Sequence, residues 1–183
     1  MKIAIAGKMG SGKSYLSDYI IHNYKFERTS FAKKVKELAV ELFNMKNKNR
    51  ALLINFATKM RSIDENVWIN AMMKDSKSFY NIVLDDLRLS NEYETLKNEG
   101  WFLIKVKVDE KIRLNRLKMK YGDEFLNHIK FSDSITENDV ANYNDDKFDL
   151  VLDSYDNNCY EYLLEQIKLK LALEKIEKYS CKI

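Results

Sequence analysis

Three of the five glycines in this 183-residue chain, Gly7, Gly10 and Gly12, stand within six consecutive positions, directly after the apolar run Ile3-Ala4-Ile5-Ala6. Backbone that must adopt left-handed or close-approach conformations is therefore concentrated in one place. The run before it has the length of a buried parallel strand. From Lys13 onward, apolar residues recur at Leu16, Tyr19 and Ile20 with helical spacing. Elsewhere the chain uses almost no backbone punctuation: it has no proline at all, where average usage would give roughly nine prolines and thirteen glycines. Collagen-like and Pro/Gly-rich disordered classes are excluded, and 45% hydrophobic residues suffice for a packed core of one domain.

The alternation of strand and helix signals continues along the chain. Strands are expected at Phe26–Thr29, Phe79–Leu84, Trp101–Val108 and Phe148–Leu152. Helices are expected after Ser30, near Arg50–Met60 and Asn66–Met73, over Ser90–Asn98 ahead of Gly100, through Ile112–Leu117, and at the carboxyl end around Leu164, Ile167, Leu171 and Ile176. Gly122–Asp146 is polar, acidic and weakly periodic, and reads as a mobile excursion. The order predicts an α/β fold in three layers, with a parallel sheet covered on both faces.

The glycine window reads in full as Gly7-Lys8-Met9-Gly10-Ser11-Gly12-Lys13-Ser14, the G-x-x-x-x-G-K-[ST] phosphate loop, in its required place between strand and helix. Loop amides from Gly7, Gly10, Ser11 and Gly12, with Lys13, Ser14 and Tyr15 at the start of the helix, are expected to hold ATP. Lys13 is expected to reach the terminal phosphates and the Ser14 hydroxyl to ligate Mg2+.

The fate of a bound nucleotide is set by the rest of the chain. Asn47-Lys48-Asn49-Arg50 lacks the aspartate of a guanine reader, which disfavours a GTPase. The third strand ends Asp85-Asp86-Leu87-Arg88, where a motor ATPase would place a glutamate. A carboxylate at a strand tip can serve magnesium or an acceptor, and an arginine two residues later can grip a second phosphate. A phosphorylated acceptor is the reading, with a nucleotide switch or ATPase lacking any acceptor as the alternative. Arg113, Arg116 and Lys120 line a basic helix before the excursion, and an arginine closing from there would neutralise transferring charge.

In these residues the chain resembles the bacteriophage deoxynucleoside monophosphate kinases, within the P-loop nucleoside monophosphate kinases. The matching segments are the loop around Lys13-Ser14, Ser30-Phe31-Ala32 with Lys36, Thr58–Arg61, Asp64–Trp68, Asp86-Leu87-Arg88 with Asn91-Glu92, and Glu137 ahead of Phe148-Asp149-Leu150-Val151. The resemblance implies a P-loop kinase fold with a five-stranded parallel sheet, an acceptor-binding region over about 30–76 and a lid over about 113–146. It implies a nucleoside monophosphate substrate touched by Lys36, Arg61, Trp68, Arg88 and Glu92, with Asp86 and Ser14 at magnesium and Lys13, Asp86, Arg88, Arg113 and Arg116 catalytic. Lys33-Lys34 stands where relatives often have Asp-Pro, and Asp133–Asp139 matches loosely. Phosphomevalonate and dephospho-coenzyme A kinases share the scaffold and remain alternatives.

Other features carry less. The net charge of +3 arises from 31 basic and 28 acidic residues that are interspersed, so no nucleic-acid partner is expected. No apolar stretch has the length to cross a bilayer, and Cys159 and Cys181 lack metal or disulfide spacing, so a cytoplasmic protein with unpaired thiols is expected, monomeric or homodimeric. His22 and His128 have no partners at ligand spacing.

Overall fold

The computed structural model describes residues 1–132, 139–154 and 159–180. Five strands, β1 (Lys2–Ala6), β2 (Glu27–Thr29), β3 (Ile82–Leu87), β4 (Phe102–Lys107) and β5 (Leu150–Asp153), form one sheet in the order β2-β3-β1-β4-β5. Every pairing is parallel. Among the described residues eight helices accompany them: α1 (Lys13–Tyr24), α2 (Phe31–Phe43), α3 (Arg50–Arg61), α4 (Val67–Asp75), α5 (Ser90–Asn98), α6 (Glu110–Tyr121), α7 (Phe125–Ser132) and α8 (Cys159–Ser180).

The layers follow from strand alternation. Ile3 and Ile5 of β1 point to one face, where they meet Leu16 and Ile20 of α1 and Leu163 and Ile167 of α8. Ala4 and Ala6 point to the other, toward Ile69 and Met72 of α4 and Tyr93 and Leu96 of α5. Both faces are covered, as the continuous apolar character of the central strands requires. A third cluster of Val35, Ala57 and Trp68 joins α2, α3 and α4 into a helical subregion beside the sheet.

Since α1 and α5 lie on opposite faces, the loops leaving the neighbouring strands β1 and β3 diverge. A crevice opens at their carboxyl ends, the usual ligand position of an open parallel sheet. The pairing there is irregular: Ala4 faces Leu84, but Ala6 faces Leu87, so Asp85 and Asp86 together oppose Ile5. The extra residue returns Leu87 to the same apolar face as Leu84 and leaves the two acids at the strand tip.

The three-layer α/β fold matches the expectation from sequence. β3 begins at Ile82 rather than Phe79, because Phe79 and Tyr80 precede the ladder and stay exposed, with the Phe79 amide donating to Ser76 in a turn. Within the stretch read as an excursion, the chain forms α7 and short turns at Val140–Asn142 and Asp145–Lys147. Glu137, the part of the acidic segment before Asp139, Cys181 and the side chains of His128, Cys159 and Ile176 lie outside the described residues. Among the described residues, no helix is long and apolar enough to cross a membrane.

Ile104 is fully buried on β4, paired with Ile5 and Leu150. Ile104→Ala should cost about 2–5 kcal/mol. In urea this appears as a lower midpoint with unchanged slope.

Candidate active site

The phosphate loop has the geometry that its motif demands. Gly7, Gly10 and Gly12 have φ of 148°, 85° and 104°, all in the region closed to most side chains. At Gly7 a Cβ would lie 2.5 Å from the Val106 carbonyl oxygen and 2.8 Å from Ser11 Oγ, so the loop is pressed against β4. Gly12 caps α1 without a side-chain acceptor, and the first turn holds no acid. The leading amides of α1 therefore keep their positive end for an outside anion. Lys13 folds back onto the carbonyls of Gly7 and Lys8, with Nζ 2.9 Å from the latter. Ser14 is exposed beside it. Among the described residues, Ser11 Oγ is buried without a hydrogen-bond partner. These features fit a nucleoside triphosphate's phosphate chain, and the exposed face of Ser14 fits a magnesium ion.

Both arginines expected to close from a lid are instead built into the loop's support. Arg113 is 4% exposed, because α6 packs directly on the loop. Its Nη1 donates to the Met9 carbonyl at 3.1 Å, and its Nε and Nη2 donate to Glu110 at 2.8 and 2.6 Å. That bond holds the Glu110 carboxyl below its usual range. Arg116 Nη1 donates to the Ser11 carbonyl at 3.3 Å and to Ser154 Oγ at 3.0 Å. Leu117 and Arg113 would meet a Cβ on Gly10 at 3.0 and 3.2 Å. The start of the expected lid is thus core helix, holding the loop from behind through its carbonyls.

At the tip of β3, Asp86 accepts the Phe31 amide at 3.2 Å and the Ala32 amide at 3.1 Å. The carboxylate expected at magnesium or acceptor is therefore the cap of α2, whose own Ser30 makes no side-chain cap. Burial raises its carboxyl above the usual range, against the opposing pull of these amides and of Arg88.

Glu92 stands next to it. One oxygen accepts the amides of Arg88 and Leu89, each at 3.0 Å, closing the turn that carries Arg88. The other faces Arg61 at 4.0 Å. Glu92 is 3% exposed, so it is not positioned to touch an acceptor, contrary to expectation. Burial first, and then the charge of Asp86, push its carboxyl up to about 7, while the two amides and Arg61 oppose the rise. Asn91 ties the same turn to the α3–α4 connection, donating to the Glu65 carbonyl at 3.2 Å and to Asn66 Oδ1 at 3.0 Å.

Of the remaining expected residues, Lys36 lies exposed on α2, one turn beyond the amides that Asp86 holds. Arg88 is exposed at the mouth of the crevice. Tyr15 is 62% exposed and sets its ring edge against Tyr160, centroids 5.4 Å apart. Trp68 does not belong to the site. It is 2% exposed, packs against Phe56 at 5.7 Å and donates Nε1–H to the Ala57 carbonyl at 3.1 Å. Its apolar neighbours in α2 and α3 draw it into the third cluster.

Sequence reading missed the residues that fasten the chain returning to β5. Lys105, buried on β4, donates to the Tyr143 carbonyl and to Asp145 at 3.0 Å, and Lys107 meets the other oxygen of Asp145 at 2.8 Å. Two lysines at alternate positions of an apolar strand were the available signal, since they share a face. Ser90 Oγ donates to Asp139 at 2.7 Å, and the Val140 amide donates to the Arg88 carbonyl at 3.1 Å.

A family profile named AAA_18, described as an AAA domain, matches residues 3–124, two thirds of the chain. No curated protein matches it. Among solved structures, TT1252 from Thermus thermophilus is 14% identical with a TM-score of 0.57, covering 93% of this chain and 97% of that one. Shikimate kinase from Bacteroides thetaiotaomicron is 15% identical with a TM-score of 0.55, covering 94% and 98%. Shikimate kinase from Acinetobacter baumannii in complex with shikimate is 12% identical with a TM-score of 0.55, covering 93% of each. At these identities the likeness shows the fold, which is that of a P-loop kinase.

Two measurements check this geometry. Gly7→Ala sets a methyl against the Val106 carbonyl, and the shifted loop should lose at least about tenfold in ATP affinity by calorimetry. For Glu92, a carboxyl raised from 4.5 to about 7 on folding gives stability that is full below the lower value and lost as pH rises through the upper. Glu92→Gln does not titrate. Between pH 5 and pH 8, urea unfolding should shift the stability difference in the variant's favour by about 2–3 kcal/mol. A constant difference would mean that Glu92 titrates normally.

Proposed function

We propose, from the premise that the chain belongs to the AAA_18 family of AAA domains, that it is an ATP- and magnesium-dependent kinase acting on a (deoxy)nucleoside monophosphate. What supports this reading is a complete phosphate loop after β1 together with cations on other elements, outside that loop. Arg88 stands on the turn after β3, Arg61 at the end of α3 and Lys36 on α2. Cations at two separated places suit two phosphorylated molecules.

In this reading Lys13 leaves the loop carbonyls for the terminal phosphates, while the loop amides and the first turn of α1 hold the rest of the chain. Ser14 Oγ joins the magnesium shell, and the metal supplies charge neutralisation between the phosphates when bound. Arg88 and Arg61 orient the acceptor phosphate so that one of its oxygens attacks the γ-phosphorus. A new P–O bond forms to the acceptor as the β–γ bridging bond breaks and ADP departs. Arg113 and Arg116 contribute by keeping the loop carbonyls occupied and its amides turned outward. The chain has little covalent work to perform, and alignment with charge neutralisation is the catalysis.

A second acceptor class is a carboxylate-bearing small molecule, favoured by the fold shared with shikimate kinase in complex with shikimate. The same cations would grip a carboxylate.

A coupled ADP-release assay across dTMP, dGMP, dCMP, dAMP, their ribose forms and shikimate separates these readings. Monophosphate-dependent turnover is expected, and ATP hydrolysis indifferent to any acceptor would instead show an ATPase. Arg88→Ala should raise the acceptor KM or lower turnover by roughly 10–100-fold while ATP still binds. Unchanged acceptor kinetics would remove Arg88 from the acceptor site.

A further inference from the structure

Arg61 and Glu92 meet where the helical subregion faces the sheet. Arg61 is the last residue of α3 and Glu92 lies in the first turn of α5, so the pair spans the side of the crevice where an acceptor phosphate would sit. The two ends of the pair differ in freedom. The Glu92 side chain is 4% exposed and held by two amides, whereas the Arg61 side chain is 30% exposed and has no other ion pair among the described residues. At 4.0 Å the contact is a loose ion pair rather than a bidentate fork. The carboxylate is fixed, and the arginine can turn from it toward solvent on its own flexible stem.

We propose that Glu92 serves Arg61, in the unliganded protein, as the anion that the acceptor's phosphate later supplies: it is an internal partner that holds Arg61 ready and surrenders it when the acceptor binds. This inference rests on the reading of Arg61 as an acceptor contact. Glu92 then acts as a positioning residue with an inhibitory share. It keeps Arg61 at the crevice, but its charge competes with the incoming phosphate for the same guanidinium. Asp86 adds to the negative charge on this side, and Arg88 and Arg61 are the cations that face it. The fixed carboxylate also favours acceptors with more charge than its own, because a phosphate dianion outcompetes one carboxylate whereas an uncharged nucleoside does not.

Glu92→Gln isolates the charge, since an amide oxygen can still accept from Arg88 and Leu89. At pH 8, calorimetry with dAMP, dGMP, dCMP and dTMP should show the variant binding its preferred monophosphate roughly fivefold more tightly than wild type. The acceptor KM should fall alongside while the ATP KM stays in place. In an Arg61→Ala background the gain should vanish, which completes a double-mutant cycle on the pair. Equal or weaker binding by Glu92→Gln, or a gain that survives without Arg61, overturns the inference and leaves the kinase reading standing. Absence of monophosphate binding by wild type and variants alike overturns both. A crystal structure of wild type with the monophosphate needs no variant: Arg61 should sit on the phosphate and away from Glu92, and an unbroken Arg61–Glu92 pair beside a bound acceptor would refute the exchange.

Discussion

The organisation of the carboxyl edge depends on one irregularity in the sheet, the two residues of β3 set against a single residue of β1. Regular alternation would place Asp86 over the apolar face with Leu84 and turn Leu87 away from it. The inserted residue instead frees the carboxylate to reach Phe31 and Ala32, so one side chain at a strand tip supplies the start of a helix more than fifty positions earlier. The helical subregion is thereby referenced to the strand beside the phosphate loop. Asp86 is half-buried, so a carboxylate that lost these donors would keep part of its desolvation cost without compensation.

On the other side of the crevice, the anchoring has a different origin. The loop is clamped through its carbonyls, by Arg113 on Met9 and Arg116 on Ser11, and its glycines are closed in by Val106 and Leu117. Pinning carbonyls from behind leaves the amide side of the same peptides to the anion. The cations of α6 act on the nucleotide through the backbone, and the cations of the helical subregion lie where side chains meet an acceptor directly.

Much of this was legible in the sequence. The phosphate loop was fully so, because glycine positions, a strand and a helix start are local properties. Sheet content was legible from β-branched runs, although Phe79 and Tyr80 misled: they share the composition of a strand but fall before the first ladder partner. Arg113 and Trp68 were both misplaced. An arginine on a basic helix looks available, and Trp68, flanked by Val67 and Ile69, was given a substrate contact by resemblance alone; packing shows that α6 lies on the loop and that Trp68 fills the space between α2 and α3. Asp86 and Glu92 were singled out but given direct roles. Their partners are backbone amides, which carry no residue signature, so the distinction between touching a ligand and holding the elements that touch it is invisible in one chain's sequence.

The fastening of Val140 to the Arg88 carbonyl and of Asp139 to Ser90 bears on the order in which the chain becomes structured. β1, β2, β3 and β4 can assemble from the first 107 residues, with the core of both layers largely in place. At that stage the turn carrying Arg88 still lacks its bond from Val140, and Ser90 its bond to Asp139, because these partners lie about fifty positions downstream. Loop closure over that distance accompanies the pairing of β5 with β4 and the seating of Asp145 on Lys105 and Lys107. The bond from Arg116 to Ser154 waits for the same event, so the clamp behind the phosphate loop and the turn that carries Arg88 are completed together, when β5 joins the sheet.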